Sequence, residues 1–223
     1  MTSFKHDLFE FPKLEQLNTD DGRFYLTPEG NRYPSVTTVL SKHNDKNIYL
    51  DQWKERVGED VATKITKTSA RKGISVHKIV EKFLLNESDY LKGQMPINIF
   101  QFNAIKQHYI DNITEVNGVE ARLYSDELRT AGTADCLCKW KGIPAIVDTK
   151  TSRSIKKEEW ITDYFIQTTA YSLMVKEQFG LEVPLIVIIM TVDHDKPLLF
   201  VKKSADYVEQ TKEIFGNYDS YYS

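Results

Sequence analysis

The chain has 223 residues, 41% of them hydrophobic and 27% charged, ordinary proportions for a globular protein with one sizeable core. Its 29 Lys and Arg against 32 Asp and Glu give a formal net charge of −3, which argues against a protein that coats nucleic acid through bulk positive charge but not against a local, metal-assisted site. Two cysteines, Cys136 and Cys138, are too close along one strand to bridge comfortably, so a disulfide framework is not expected.

The opening stretch MTSFKHDLFEFPKLEQ has no apolar run for a signal peptide, and its acids argue against a transit peptide. The longest apolar run, Pro184 to Met190, is far too short to span a bilayer. A reducing, cytoplasmic setting without membrane association is expected, host cytoplasm if the chain is phage-encoded.

Residues 1–33 are polar and glycine-punctuated, with a short hairpin expected around FYLTPEGNRY. PSVTTVLSKH reads as a short helix with Ser35 as N-cap. Residues 48–69 carry Leu50, Trp53, Val57, Val61 and Ile65 at helical spacing. A further helix is predicted from about Ile74 to Leu85, with Gly73 just before it, and another over Pro96 to Asn112. From Val116 the texture changes: VNGVEARLYSD, AGTADCLCKW and IPAIVDTK alternate like strands. Residues 157–178 return to helical spacing, VPLIVIIMTVDHDKPLLFVKK reads as two strands joined at HDKP, and a last helix is predicted from about Ala205 to Tyr218. The order predicts an α/β protein, a mixed central sheet flanked by helices. The whole chain, 1–223, is read as one domain, with a mainly helical N-terminal part (1–115) and a sheet-containing core (116–223).

Lys141-Gly142 offers a two-residue turn, because glycine tolerates positive φ. Strands closing there pair Trp140 with Ile143, Cys138 with Ala145 and Asp135 with Asp148. Pro144 then falls in a non-hydrogen-bonded pair, where its missing N–H costs nothing, and by alternation so does the acid pair. Two ionised carboxylates about 5 Å apart repel by roughly 3 kcal/mol at an effective dielectric near 20. That exceeds the whole range of strand propensity, about 1 kcal/mol. A shared proton, a lysine or a divalent cation could offset it. Lys150 lies two residues after Asp148 and so on the same strand face. Carboxylate oxygens with open positions suit magnesium or manganese. The ordinary interpretation is a charged edge strand, but Leu137 and Ala145-Ile146-Val147 suggest an inner strand pair.

His77 and Glu81 lie one helical turn apart, which for an isolated pair most often means a half-buried histidine and a solvated glutamate. Arg71, Lys72 and Arg153 are candidate phosphate contacts, although such clusters are usually solvated. Gln167 and Tyr171 share a helical face and are expected to form a buried hydrogen-bonding pair. Glu120 is a third strand acid, open between extra ligand, lysine partner and plain exposure. His194, in a turn-forming VDHD segment, is given no role.

The order G-x-x-x-H, G-T-A-D, I-V-D-T-K-T, Q-x-x-x-Y resembles the PD-(D/E)xK nuclease superfamily, in its RecB-like exonuclease branch. With PSVTTVL and the tryptophan-bearing helix ahead of RKGISVH, it is similar to the mitochondrial genome maintenance exonuclease family and related phage exonucleases, from about Pro34 to Tyr171. The resemblance implies a restriction-endonuclease-like core and a metal-dependent DNA exonuclease acting on single strands or free ends in replication, repair or recombination. It implies His77, Asp135, Asp148 and the Thr149 carbonyl as ligands of Mg²⁺, with Mn²⁺ able to substitute. Lys150 becomes the catalytic lysine, Gln167 and Tyr171 fill the Q-x-x-x-Y motif, and Glu81 and Glu120 are additional candidates. An iron–sulfur cluster, which needs four cysteines, is not expected. Tyr33 or Trp53 could offer stacking surfaces, and oligomeric state is left open. Alternatives are an endonuclease of the same superfamily, a DNA-binding protein without turnover, or a metabolic enzyme, which would lack any glycine-rich cofactor loop here.

Overall fold

The computed structural model describes residues 3–43 and 46–217, without the side chains of 46–51. Five strands, β4 (Ile113–Ser125), β5 (Thr130–Trp140), β6 (Ile143–Ser152), β7 (Leu185–Val192) and β8 (Leu198–Lys203), form one sheet in the order 4-5-6-7-8. Only β6 and β7 run parallel, joined by α5 (Thr162–Phe179); all other neighbours are antiparallel. The expected mixed sheet flanked by helices is therefore present.

Alternation along the central strands sorts their side chains onto two faces. Val147, Val187 and Ile189 pack with Val76, Ile79, Phe102 and Ile105 from α3 (Glu59–Leu84) and α4 (Pro96–Asn112). Leu137 and Ile146 pack with Ile166, Ala170 and Met174 of α5 on the other face, together with Val36 and Val39 of α1 (Val36–His43) and Ile214 of α6 (Val208–Gly216). Cys136 and Cys138 are buried free thiols on the α3/α4 side. A second, three-stranded sheet, β1 (Glu15–Thr19), β2 (Gly22–Leu26) and β3 (Arg32–Pro34), contains the expected hairpin and adds β1 to it. It packs Tyr25 against Ala131 at the start of β5.

Ser35 caps α1 as expected, its Oγ accepting the Thr38 N–H at 3.0 Å. The β5–β6 register also matches: Trp140 faces Ile143, Lys139 faces Pro144 and Cys138 faces Ala145. Lys141 at φ 50° and Gly142 at φ 85° both take the left-handed backbone that a type I′ turn requires.

One helix boundary differs. The chain breaks at Gly58, φ 86°, between α2 (Lys46–Val57) and α3, and runs helically straight through Gly73. A mid-helix glycine costs only about 1 kcal/mol relative to alanine, less than the burial of Val76, Ile79, Val80 and Phe83 that the continuous helix secures. The apolar stripe read over residues 48–69 is not a core stripe either. Val61 is exposed, Trp53, Val57 and Ile65 are half-buried, and the Leu50 side chain lies outside the described residues. The last helix begins as a 3-10 turn at Ser204 and continues as α6, while its expected end at Tyr218 falls outside the described residues. No helix among the described residues is long and apolar enough to cross a membrane.

An added Cβ at Gly73 would meet only the Thr151 hydroxyl, at 3.6 Å, an ordinary contact. Gly73→Ala is therefore expected to raise unfolding stability by about 0.5–1 kcal/mol. Gly142→Ala, forced into a left-handed turn, is expected to lower it by about 1–2 kcal/mol. Urea unfolding of both variants beside the parent checks the opposite signs.

Candidate active site

The β5–β6 ladder stops at Cys136–Val147, one residue short of the two acids. Beyond it the strands part, and the Thr149 N–H donates to Asp135 Oδ2 at 2.7 Å instead of to a backbone carbonyl. The Thr149 side chain points the other way and is held by the Tyr109 hydroxyl at 2.7 Å. The fork between the strands opens into a cavity of about 430 Å³ lined by residues from α3, α5, β4, β5 and β6.

His77, on the α3 wall, places Nδ1 3.3 Å from Asp135 Oδ2. Glu120 stands opposite Asp135 on β4, between the Val119–Cys136 and Ala121–Ala134 pairs, and takes an unusual left-handed φ of 47°. One ligand atom from each of His77, Glu120 and Asp135 lies within 4.8 Å of the others. A strained non-glycine backbone beside two other polar groups is a common companion of functional sites. The sequence carried no sign of that strain.

Asp148 is 1% exposed. Its Oδ2 lies 2.8 Å from Lys150 Nζ yet makes no hydrogen bond. Gln167 bridges this ion pair: its Nε2 donates to Asp148 Oδ1 and its Oε1 accepts from Lys150 Nζ, both at 3.2 Å. The same amide donates to the Tyr171 hydroxyl at 3.4 Å, so the expected Gln167–Tyr171 pair is present and buried. Lys150 also sits over the Tyr164 ring, 4.8 Å from its centroid. Gly132 is required by this packing, because an added Cβ would come within 2.7 Å of the Tyr171 ring.

The charges answer why acids occupy an inner strand pair. Burial works against ionised Asp135, but His77, Lys150 and the Thr149 amide outweigh it and hold its pKa below the usual range. Burial also disfavours charged His77, and Asp135 more than reverses this, raising its pKa to about 9. Asp148 is pushed up to about 6, by burial first and by Asp135 despite the opposing Lys150. Glu120, exposed as a whole residue, has its carboxyl raised to about 7 by desolvation at the cavity and then by Asp135. In the protein alone, an imidazolium and an ammonium thus balance the acids.

A hard divalent cation fits this donor set. An imidazole nitrogen and two carboxylate oxygens, brought in by three different elements, lie within 4.8 Å of one another, and the Asp148 carboxylate lines the same cavity. Of the expected ligands, His77 and Asp135 converge with Glu120, while Asp148 lines the same cavity turned toward Lys150; Glu81 lies on its α3 rim.

The expected phosphate cations lie elsewhere. Arg71, Lys72 and Arg153 line a neighbouring pocket, and Lys72 is bound to Asp193 at 2.5 Å. The cations on the rim of the first cavity are Arg23 and Lys78, which sequence reading passed over because neither sits in a motif. Tyr33 hydrogen-bonds Asp126 at 2.6 Å and is not among the cavity-lining residues.

No protein-family model matches the chain. It is 28% identical over 132 residues to mitochondrial genome maintenance exonuclease 1 of Mus musculus, covering 56% of this chain and 39% of that protein. The same protein of Xenopus tropicalis is 29% identical over 147 residues, 62% of this chain and 42% of the relative. The chain thus spans about two fifths of the length of these curated relatives. A solved structure of a provisionally assigned exonuclease from Eubacterium rectale aligns over 67% of each chain, with TM-score 0.45 and 14% identity, too distant to inform function. Similarity to the mitochondrial exonucleases, at low identity, supports assignment of this chain to the nuclease superfamily that its motif order resembles.

Proposed function

We propose that the chain is a metal-dependent deoxyribonuclease that hydrolyses phosphodiester bonds from DNA ends, acting on single-stranded DNA or frayed termini in replication, repair or recombination. The observation that carries this reading is the convergence of His77, Glu120 and Asp135 beside a buried Asp148–Lys150 pair, in a cavity open to solvent at the fork of two central strands. A bound Mg²⁺ or Mn²⁺ would supply Lewis-acid polarisation of the scissile phosphate and a lowered pKa for the attacking water.

The chain's own groups have separable tasks. His77, Asp135 and Asp148 hold the cation, with Glu120 as a further ligand or outer carboxylate; the Thr149 carbonyl and Glu81 are further candidates. Lys150 is fixed by Asp148, Gln167 and the Tyr164 ring, so its ammonium presents a fixed charge to the oxygens that gain charge in the transition state. Gln167 and Tyr171 restrict its rotation from the α5 side. Arg23 and Lys78 at the rim contact flanking phosphates, which gives affinity without sequence readout. An endonuclease of the same superfamily is the competing reading, and substrate topology separates the two.

End-labelled single-stranded and duplex DNA, incubated with Mg²⁺, Mn²⁺, Ca²⁺ or EDTA, is expected to be degraded only with Mg²⁺ or Mn²⁺, and a circular single strand is expected to resist. Asp148→Asn and Lys150→Ala should each reduce cleavage at least a hundredfold; full activity in either variant removes the proposed chemistry.

His77 gives a test independent of turnover. Its raised pKa contributes stability that is complete below about 6.5 and is lost as pH rises through about 9. Metal-free protein should lose stability across that window, and His77→Gln should lack this part of the slope. Because a ligating imidazole must be neutral, Mg²⁺ or Mn²⁺ binding at pH 7.5 should release close to one proton, measured by calorimetry in buffers of different ionisation enthalpy. No proton release would separate His77 from the cation.

A further inference from the structure

A second pocket, about 670 Å³, lies between α3 and the start of α4. Its α3 wall is Lys64, Thr68, Arg71, Lys72 and Ser75, a face adjoining the one that presents Gly73, His77 and Glu81 to the first cavity. Arg71 and Lys78 are seven residues apart, two turns along one side of α3, and both are exposed. They mark a basic ridge between the two pockets, and Arg153 extends it three residues beyond Lys150. Against these cations the second pocket sets one carboxylate, Asp193, which is already bound to Lys72 and to Gln101 at 2.5 Å. This concentration of positive charge occurs in a chain of net charge −3.

The far wall is apolar and open. Met95 is 65% and Phe100 63% exposed, and Ile97 stands beside them, although large apolar side chains clustered on a surface lose the burial that would stabilise the fold. Among them, on the pocket lining, stands Asn98, only 5% exposed. Its amide carries both donor and acceptor groups, the kind that pair with the polar edge of a base.

We propose that this pocket is a nucleobase subsite, which takes an unpaired base of the substrate strand at a distance from the scissile phosphate. The base lies against Phe100 and Met95, the Asn98 amide meets its polar edge, and the phosphates on either side follow Arg71 and Arg153. Stacking on an aromatic ring tolerates any base and requires that the base be unpaired, so the subsite selects single strands over duplex. The occupant is chosen by charge complementarity and by continuity with the first cavity along the Lys78–Arg71 ridge. This inference rests on the nuclease reading for the identity of the strand, but its contacts are tested without cleavage.

The measurement is fluorescence anisotropy of a labelled twenty-nucleotide single strand titrated with protein in EDTA, beside a blunt duplex of the same length. Phe100→Ala and Asn98→Ala are each expected to weaken single-strand binding about tenfold and leave duplex binding unchanged. Phe100 is exposed, so its loss should not disturb folding, and the unfolding midpoint of each variant checks this. Steady cleavage of a mononucleotide aryl phosphodiester, too short to reach the second pocket, should be equal in Phe100→Ala and the parent. Parent-like single-strand affinity in both variants overturns the subsite, as does an equal loss on the duplex. Tight, Phe100-dependent strand binding in a protein that cleaves nothing would uphold the subsite and refute the nuclease reading, so the two failures remain distinct.

Discussion

The parting of β5 and β6 beyond Cys136–Val147 is the constraint on which the candidate site depends. Inside a sheet, Asp135 would have a backbone ladder on each side and no room for a ligand. Because the ladder ends there, the Thr149 amide is freed and finds the Asp135 carboxylate, which fixes that side chain and adds to the hold of His77 and Lys150 on its charge. The fork is held open from both faces: α3 inserts His77, and α5 inserts Gln167 and Tyr171. Tyr109, on the far face, anchors the Thr149 side chain so that its backbone amide can stay turned toward Asp135.

The arrangement carries its own counter-charges. Asp135 leans on His77, and Asp148 on Lys150, so each acid has a counter-charge within the chain itself. Such paired burial is seldom a net source of stability; its use here is to keep four ionisable groups in fixed positions. The two pairs differ in kind. The imidazolium can give up its proton and become a ligand, whereas the ammonium, with a pKa raised by Asp148 and Asp135 despite burial, stays charged. One pair is exchangeable and the other permanent.

Much of the core was legible because its signals are periodic. The Lys141-Gly142 turn set the β5–β6 register, and that register put Asp148 and Lys150 beside Asp135. The Gln167–Tyr171 contact followed from helical spacing. What local sequence does not reveal lies at residues of unusual backbone and at long-range contacts. Gly73 looked like a helix start and Gly58 did not, because local sequence does not reveal which glycine takes positive φ. The left-handed backbone of Glu120 likewise leaves no mark in the sequence. The pairing of Lys72 with Asp193, 121 positions away, is invisible to any local pattern.

That partner has a wider bearing. Asp193 joins Lys72 of α3 to Gln101 of α4, and Gln101 accepts a hydrogen bond from Thr191 at the end of β7. Three elements are thereby riveted at one corner, on the lining of the second pocket. Met95, Ile97 and Phe100 are exposed near this rivet, whereas His77 lines the other cavity. Side chains that greet the incoming polymer can therefore be exchanged without jarring the groups that would break it, so appetite and chemistry are free to drift apart over evolutionary time.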